Sequence, residues 1–575
     1  IMANNEKSVS LGGSLKKFFQ VVRLERKEVS AIYFYSILSG FIQLSLPLGI
    51  QAIINFAQAA AGISKLPISI GVLIALVLAG VLISGILQVN QMRIIEKIQQ
   101  RLFTRYAFEF SFKIPRVDTK AINDYHFPEL VNRFFETNTL QKGLSKILLD
   151  IPLAVIQIVF GLILLSFYNP AFIFLGFLLF LLLYVVLYFT AKRGLVESIV
   201  ESNYKYKVAA WMQEVARAFK TFKVAGMHNL HLKKTDEYVE GYLEAKTEHF
   251  KILTYQYWSL IIFKLLITAA MLIIGSILLI NQQLNVGQFI AAEIVILLVL
   301  SAVEKLILNL ETAYDLLTGL EKISKITEQP SEAEGNLPFV PLENGVSISA
   351  HGIDFSFDSD RPVLEKVDFA IQPGQKICIM GDAASGKSIL MELLTGSLKS
   401  FDGNLLVNNI PINNLDLDSY RKRIGVFYHE QDIFQASLLE NITMGNKNMD
   451  PNAIMNLAEV IGLKEFINTL PNGLYTELEP TGKRLSTIIA KKLLLLRACV
   501  NHPQLLLLDE PFELAGAESS KNICDYLIGL DNVTVVVITG YVPFAQKADA
   551  VFWMDHGKIR YNGSPDQVLP KTIHS

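Results

Sequence analysis

Six apolar runs, each long enough to cross a bilayer, lie within the first 310 residues of a 575-residue chain. They cover roughly 32–56, 68–89, 151–167, 172–190, 253–280 and 289–310, close to the ~20 residues by which an α-helix crosses ~30 Å of hydrocarbon. Hydrocarbon offers no partner to a backbone N–H or C=O, so a lipid-exposed run of this kind must be helical. A buried core helix would explain one such run, but not the charge pattern of the set. Connections 93–146 and 192–251 carry 10 and 11 Lys and Arg, whereas 59–67, 168–170 and 281–288 carry Lys65 alone. That asymmetry predicts the basic connections and both termini on the cytoplasmic side, and Lys16, Lys17, Arg23, Arg26 and Lys27 ahead of the first run agree with it. About thirty mostly polar residues before so long a run also argue against a cleavable signal peptide.

The two basic connections are too long for simple loops. Extending the spans as helices for about twenty residues would carry them ~30 Å beyond the bilayer. Turning points are expected at 123–135, where Phe127-Pro128-Glu129-Leu130 breaks and restarts a helix, and at 209–226, around Trp211, Gln213, Glu214 and Arg217. Inside the spans, Lys264 and Glu304 fall at similar depth if their helices run antiparallel, so an ion pair is expected. Glu293 lies nearer the outer face.

The second half carries a different signal. Gly381-Asp382-Ala383-Ala384-Ser385-Gly386-Lys387-Ser388 satisfies the Walker A pattern, with both glycines, the lysine and the hydroxyl in register. Residues 376–380 (Lys-Ile-Cys-Ile-Met) read as a buried strand before it, and the run from Ile389 reads as a helix after it. Backbone N–H groups of such a loop converge on an anion, Lys387 reaches the outer phosphates, and Ser388 supplies a magnesium ligand. Leu505-Leu506-Leu507-Leu508-Asp509-Glu510 has the form of a Walker B strand. Asp509 there would hold the magnesium and Glu510 would act as general base on an attacking water. ATP and Mg2+ are therefore the expected ligands.

A length of 575 residues with 51 % apolar residues fits a membrane domain of 30–325 after a cytoplasmic segment 1–29, then a linker 326–345 and a nucleotide-binding domain 346–575. The net charge of −2 gives no reason to expect a nucleic-acid partner. Cys378, Cys499 and Cys524 show no CxxC spacing and read as small buried residues in a reducing compartment.

The order of six spans, long basic connections, Walker A, Walker B and a strand-rich tail resembles an ATP-binding cassette exporter half-transporter over nearly the whole chain. Leu46-Pro47-Leu48-Gly49-Ile50-Gln51 is similar to the matching stretch of bacterial type I toxin and peptide secretion transporters; with about thirty residues ahead of the first run, the N-terminal peptidase domain of some of them is not expected here. The resemblance implies a membrane all-α domain of six transmembrane helices with long cytoplasmic extensions, followed by an α/β P-loop nucleotide-binding domain. It also implies a bacterial inner membrane, a second half-transporter of the same or another sequence as partner, and room for a periplasmic adaptor.

Carried over position by position, the family's motifs are incomplete. Phe357 stands where an aromatic stacks on adenine, and its ring keeps a stacking face. His429 stands at the Q-loop glutamine, with Gln431 out of register. The signature Leu-Ser-Gly-Gly-Gln matches Leu485-Ser486-Thr487-Ile488-Ile489, which keeps Ser486 but places β-branched residues where glycine lets the backbone approach phosphate. The D-loop matches Glu513-Leu514-Ala515-Gly516, and the switch histidine falls on Gly540. Two functions remain open: an ATP-driven exporter with slow hydrolysis, or a pseudo-ATPase membrane subunit that uses nucleotide as a ligand.

Overall fold

The computed structural model describes residues 11–59, 68–118, 130–226, 229–332, 335–357, 362–428, 431–513 and 516–572. These form two compact units, one of residues 11–117 and 130–329 and the other of residues 118 and 330–572.

The first unit is helical. Its elements are α1 (Leu11–Leu24), α2 (Arg26–Gln43), α3 (Ser45–Ala59), α4 (Ile68–Lys113), α5 (Glu136–Tyr168), α6 (Ala171–Arg217), α7 (Phe219–Val224), α8 (Leu230–Ile280) and α9 (Val286–Thr327). Six helical stretches among the described residues are long and apolar enough to cross a membrane. The run 32–56 differs from the others in being two helices, α2 and α3, broken at Leu44. Pro47 is the cause: it has no N–H to return to the Gln43 carbonyl, so the ladder is interrupted there. The long extensions are present: α8 alone has 51 residues, which is about 75 Å at 1.5 Å per residue.

Packing inside this unit follows small residues and hydrogen bonds, because lipid tails are as apolar as leucine and give no hydrophobic drive between helices. A Cβ on Gly161 of α5 would stand 2.6 Å from Val299 of α9, so the two helices touch where glycine leaves room. The buried Gln256 amide of α8 donates to the Thr190 hydroxyl at 2.8 Å and to the Tyr314 hydroxyl at 2.9 Å, tying α8 to α6 and α9. Outward-facing Leu76, Leu78 and Leu82 on α4 and Phe174 and Phe177 on α6 are exposed, as lipid-facing residues would be.

The second unit holds two sheets. Strands β1 (Ile348–Ser356), β2 (Pro362–Ile371), β4 (Asp402–Val407) and β5 (Ile410–Pro411) make an antiparallel sheet in the order β2-β1-β4-β5. Strands β3 (Lys376–Gly381), β6 (Ile424–Phe427), β7 (Leu505–Asp509), β8 (Thr534–Ile538), β9 (Ala550–Asp555) and β10 (Lys558–Gly563) make the other, in the order β10-β9-β3-β8-β7-β6. Within it β9, β3, β8, β7 and β6 run parallel, and only β10 is antiparallel. The parallel strands are continuous apolar runs because helices cover both faces. Val535, Val536 and Val537 of β8 are fully buried, as are Leu505, Leu507 and Leu508 of β7. All three cysteines are free and buried.

Candidate phosphate and magnesium site

Parallel strands leave their C-terminal ends on one edge, the place where α/β sheets bind ligands. Here β3 ends in Gly381, β7 in Asp509 and β8 just before Thr539, and β8 lies between the other two. Residues more than a hundred positions apart therefore meet at one edge.

The loop after β3 is shaped by its glycines. Gly381 has φ +143°, and a Cβ there would sit 2.0 Å from the Met554 carbonyl oxygen; Gly386 has φ +93°, and a Cβ there would sit 2.7 Å from Leu364. Neither position accepts a side chain. Ala384 also takes a left-handed φ of 61°, a conformation that costs an L-residue roughly 1–2 kcal/mol. From Gly386 the chain enters helix α10 (Lys387–Leu394), so the loop wraps a helix N-terminus.

Lys387 curls back over this loop: its Nζ donates to the Gly381 carbonyl at 2.8 Å, the Asp382 carbonyl at 2.6 Å and Ser385 Oγ at 3.2 Å. Burial lowers its ammonium below the usual lysine range, against the pull of Glu510, Asp509 and Asp382. The Ser388 hydroxyl, at the head of α10, donates to Asp509 Oδ2 at 3.1 Å. A hydroxyl and a carboxylate oxygen side by side are the hard donors that Mg2+ takes alongside phosphate oxygens and water, so the residues present fit that ion.

Glu510 follows Asp509 with φ 52°, a sparsely populated conformation that persists only where its surroundings hold it. Its N–H bonds the Ile538 carbonyl at 2.8 Å. Burial raises its carboxyl above the usual glutamate range, with the negative charges of Asp509 and Glu513 adding to the rise and hydrogen bonds from the Thr539 hydroxyl and the Gly540 N–H opposing it. A base with a raised pKa is better matched to proton abstraction near neutral pH.

Loop 381–388, Asp509 and Glu510 are thus brought together. Phe357 follows β1 with its ring 46 % exposed, set edge-on to Phe355 at 5.0 Å between centroids. Ser486 caps helix α11 (Thr487–Val500), accepting from the Ile489 N–H at 3.3 Å. The β-branched Thr487 and Ile488 do not prevent that helix start, and Ile488 is exposed. His429 of the Q-loop and Leu514 and Ala515 of the D-loop lie outside the described residues, as does 123–129 of the first expected turning point. At the second, α6 ends at Arg217 and the short α7 follows. Lys264 and Glu304 form their ion pair at 2.7 Å.

Sequence reasoning missed the Thr539 and Gly540 contacts to Glu510. The signal was a polar residue ending an otherwise apolar strand, Thr539 after Val535-Val536-Val537-Ile538. At Gly540 itself nothing lies within 4 Å of a built Cβ.

Residues 29–303 match the family model described as ABC transporter transmembrane region, and residues 364–513 match the one described as ABC transporter. The chain is 27 % identical over 309 residues to an uncharacterized ABC transporter ATP-binding protein of Bacillus subtilis, covering 53 % of this chain and 51 % of that one. It is 28 % identical over 291 residues to an ATP-dependent lipid A-core flippase of Burkholderia orbicola, covering 50 % and 49 %. The chain thus spans about half the length of these curated relatives. The solved structure of a bacterial Atm1-family ABC exporter with ATP bound has TM-score 0.85, covering 95 % of this chain and 97 % of that one at 17 % identity; that likeness is one of fold.

Proposed function

Since the chain belongs to the ABC transporters, with their transmembrane region and nucleotide-binding domain in one polypeptide, we propose that it is one half of a dimeric, ATP-driven exporter. ATP–Mg binding would close the dimer, the helical extensions would transmit closure, and a substrate would cross outward as nucleotide shifts the population of states. Loop 381–388 would hold the phosphates, Lys387 leaving its own loop carbonyls to meet them. Phe357 would stack on adenine, and Ser486 would face the nucleotide of the other chain. Mg2+ held by Ser388 and Asp509 would neutralise charge on the phosphate oxygens. Glu510 would orient the attacking water and take its proton.

The observation that carries this reading is the contact of Ser388 with Asp509 at the shared strand edge. Hydrolysis is expected to be slow, because a homodimer has Thr487 and Ile488 in both signatures and Gly540 at both switches, while an intact partner repairs only half of each site. The same residues favour the second reading, a pseudo-ATPase subunit that supports another exporter. ATP turnover by purified protein, compared with Glu510→Gln, separates them: equal rates remove the hydrolytic reading.

The charge asymmetry of the connections supports both termini on the cytoplasmic side, and the likeness to bacterial exporters supports a bacterial inner-membrane location. The stretch 46–51 favours a peptide or protein cargo, in a type I secretion system with a periplasmic adaptor, and the flippase among the relatives favours a lipid. Co-purification from native membrane identifies the partner half-transporter and any adaptor.

A further inference from the structure

The two-residue turn His556-Gly557 joins β9 to β10, with Asp555 opposite Lys558. Because β9 pairs with β3 to its end, Met554 opposite Gly381, the turn emerges at the strand edge that carries the phosphate loop. Positive φ at both turn residues, 45° and 75°, is what a tight hairpin needs. Gly557 does more than turn the chain. Its N–H donates to the Ser385 carbonyl, inside the phosphate loop, at 3.2 Å, and its own carbonyl accepts from the Glu365 N–H of β2 at 2.9 Å. One residue therefore holds two separate segments.

The fit leaves no room for a side chain. A Cβ on Gly557 would stand 2.5 Å from the Val363 carbonyl oxygen, a backbone atom that cannot swing aside. Neighbouring side chains secure the turn: Asp555 meets His556 Nδ1 with one oxygen and accepts from Arg560 Nε at 2.6 Å with the other. Lys558 pairs with Glu365 at 2.9 Å, a second link to β2.

Strand β2 leads to the aromatic that is expected to stack on adenine. Leu364 lies opposite Phe355 of β1, and the Phe355 ring meets Phe357 at 5.0 Å. Leu364 also bounds the phosphate loop, standing 2.7 Å from a Cβ built on Gly386. We propose that Gly557 is a positioning residue that sets the spacing between the phosphate loop and the β1–β2 hairpin bearing Phe357, so that a ligand with a base at one end and phosphates at the other meets both at once. The inference rests on the nucleotide reading above. A two-ended ligand gains because its second contact forms at high effective concentration, and that gain is lost when the spacing is wrong.

The test is calorimetric titration of the full chain in lipid nanodiscs with Mg2+, using ATP and, as a ligand with phosphates alone, inorganic tripolyphosphate. Gly557→Ala is expected to weaken ATP about tenfold and to leave tripolyphosphate nearly unchanged. Asp555→Ala, which loosens the turn without adding atoms to it, should weaken ATP about threefold with the same selectivity, and it decides if Gly557→Ala does not fold. Equal weakening of both ligands would make the turn a part of the fold alone and overturn the proposal, as would unchanged affinity for ATP. Those outcomes leave the nucleotide reading standing, whereas a wild-type chain that does not bind ATP overturns both.

Discussion

The Ser388 hydroxyl and the Asp509 carboxylate, 121 positions apart in sequence, meet in a 3.1 Å hydrogen bond at the C-terminal edge of the parallel sheet. If that pair holds magnesium, its loss should be felt only when magnesium is present. Ser388→Ala and Asp509→Asn are each expected to weaken ATP binding about tenfold with Mg2+ and to leave magnesium-free nucleotide binding nearly unchanged. Fluorescent-nucleotide titration with and without chelator reads both. Equal losses in the two conditions would assign the pair to the fold alone.

Gly540 offers a gain-of-function test. Nothing lies within 4 Å of a Cβ built there, and its φ is not in the left-handed range, so a side chain can be added without displacing neighbours. If the missing switch histidine limits turnover, Gly540→His should raise the ATPase rate about tenfold or more, since positioned proton-transfer groups typically contribute 10²–10⁴-fold. An unchanged rate in a folded variant places the limit elsewhere, at the signature helix.

Ala384 holds a left-handed φ of 61° in the phosphate loop. Glycine reaches that region without the steric cost borne by alanine, so Ala384→Gly should stabilise the second unit by about 1 kcal/mol, less the extra chain entropy of an unfolded glycine. Thermal unfolding followed near this unit checks it. A lower midpoint would show that the methyl group contributes packing that outweighs the strain.

Glu510 makes a pH prediction whose sign follows from burial. Its folded pKa is raised, so the folded state binds its proton more tightly than the unfolded one. The stability it contributes is full below the unfolded glutamate value and is lost as pH rises through the folded one. Glu510→Gln should therefore raise the thermal midpoint at neutral pH and lose that advantage in acid. Activity has its own acid limb, because a protonated Glu510 is no base, and that limb should lie above the ordinary glutamate range.

Much of this was readable in the chain. Six spans, the phosphate loop and the acidic strand end follow from run length, glycine spacing and the step from apolar to charged residues. The Lys264–Glu304 pair at 2.7 Å followed from depth alone. The break at Leu44 was hidden because a hydropathy run does not register a lost N–H, although Pro47 stood in plain view. The Thr539 and Gly540 contacts to Glu510 depend on which strands become neighbours. Side-chain pattern along one element does not carry that.

The most direct measurement is steady-state ATP turnover by the full chain in lipid nanodiscs, beside Lys387→Ala and Glu510→Gln. The account predicts ATP binding that Lys387→Ala abolishes, with hydrolysis well below the ~10 per second of a typical enzyme and lost in Glu510→Gln. Turnover at that rate or faster, or a residual rate indifferent to Glu510, would contradict it.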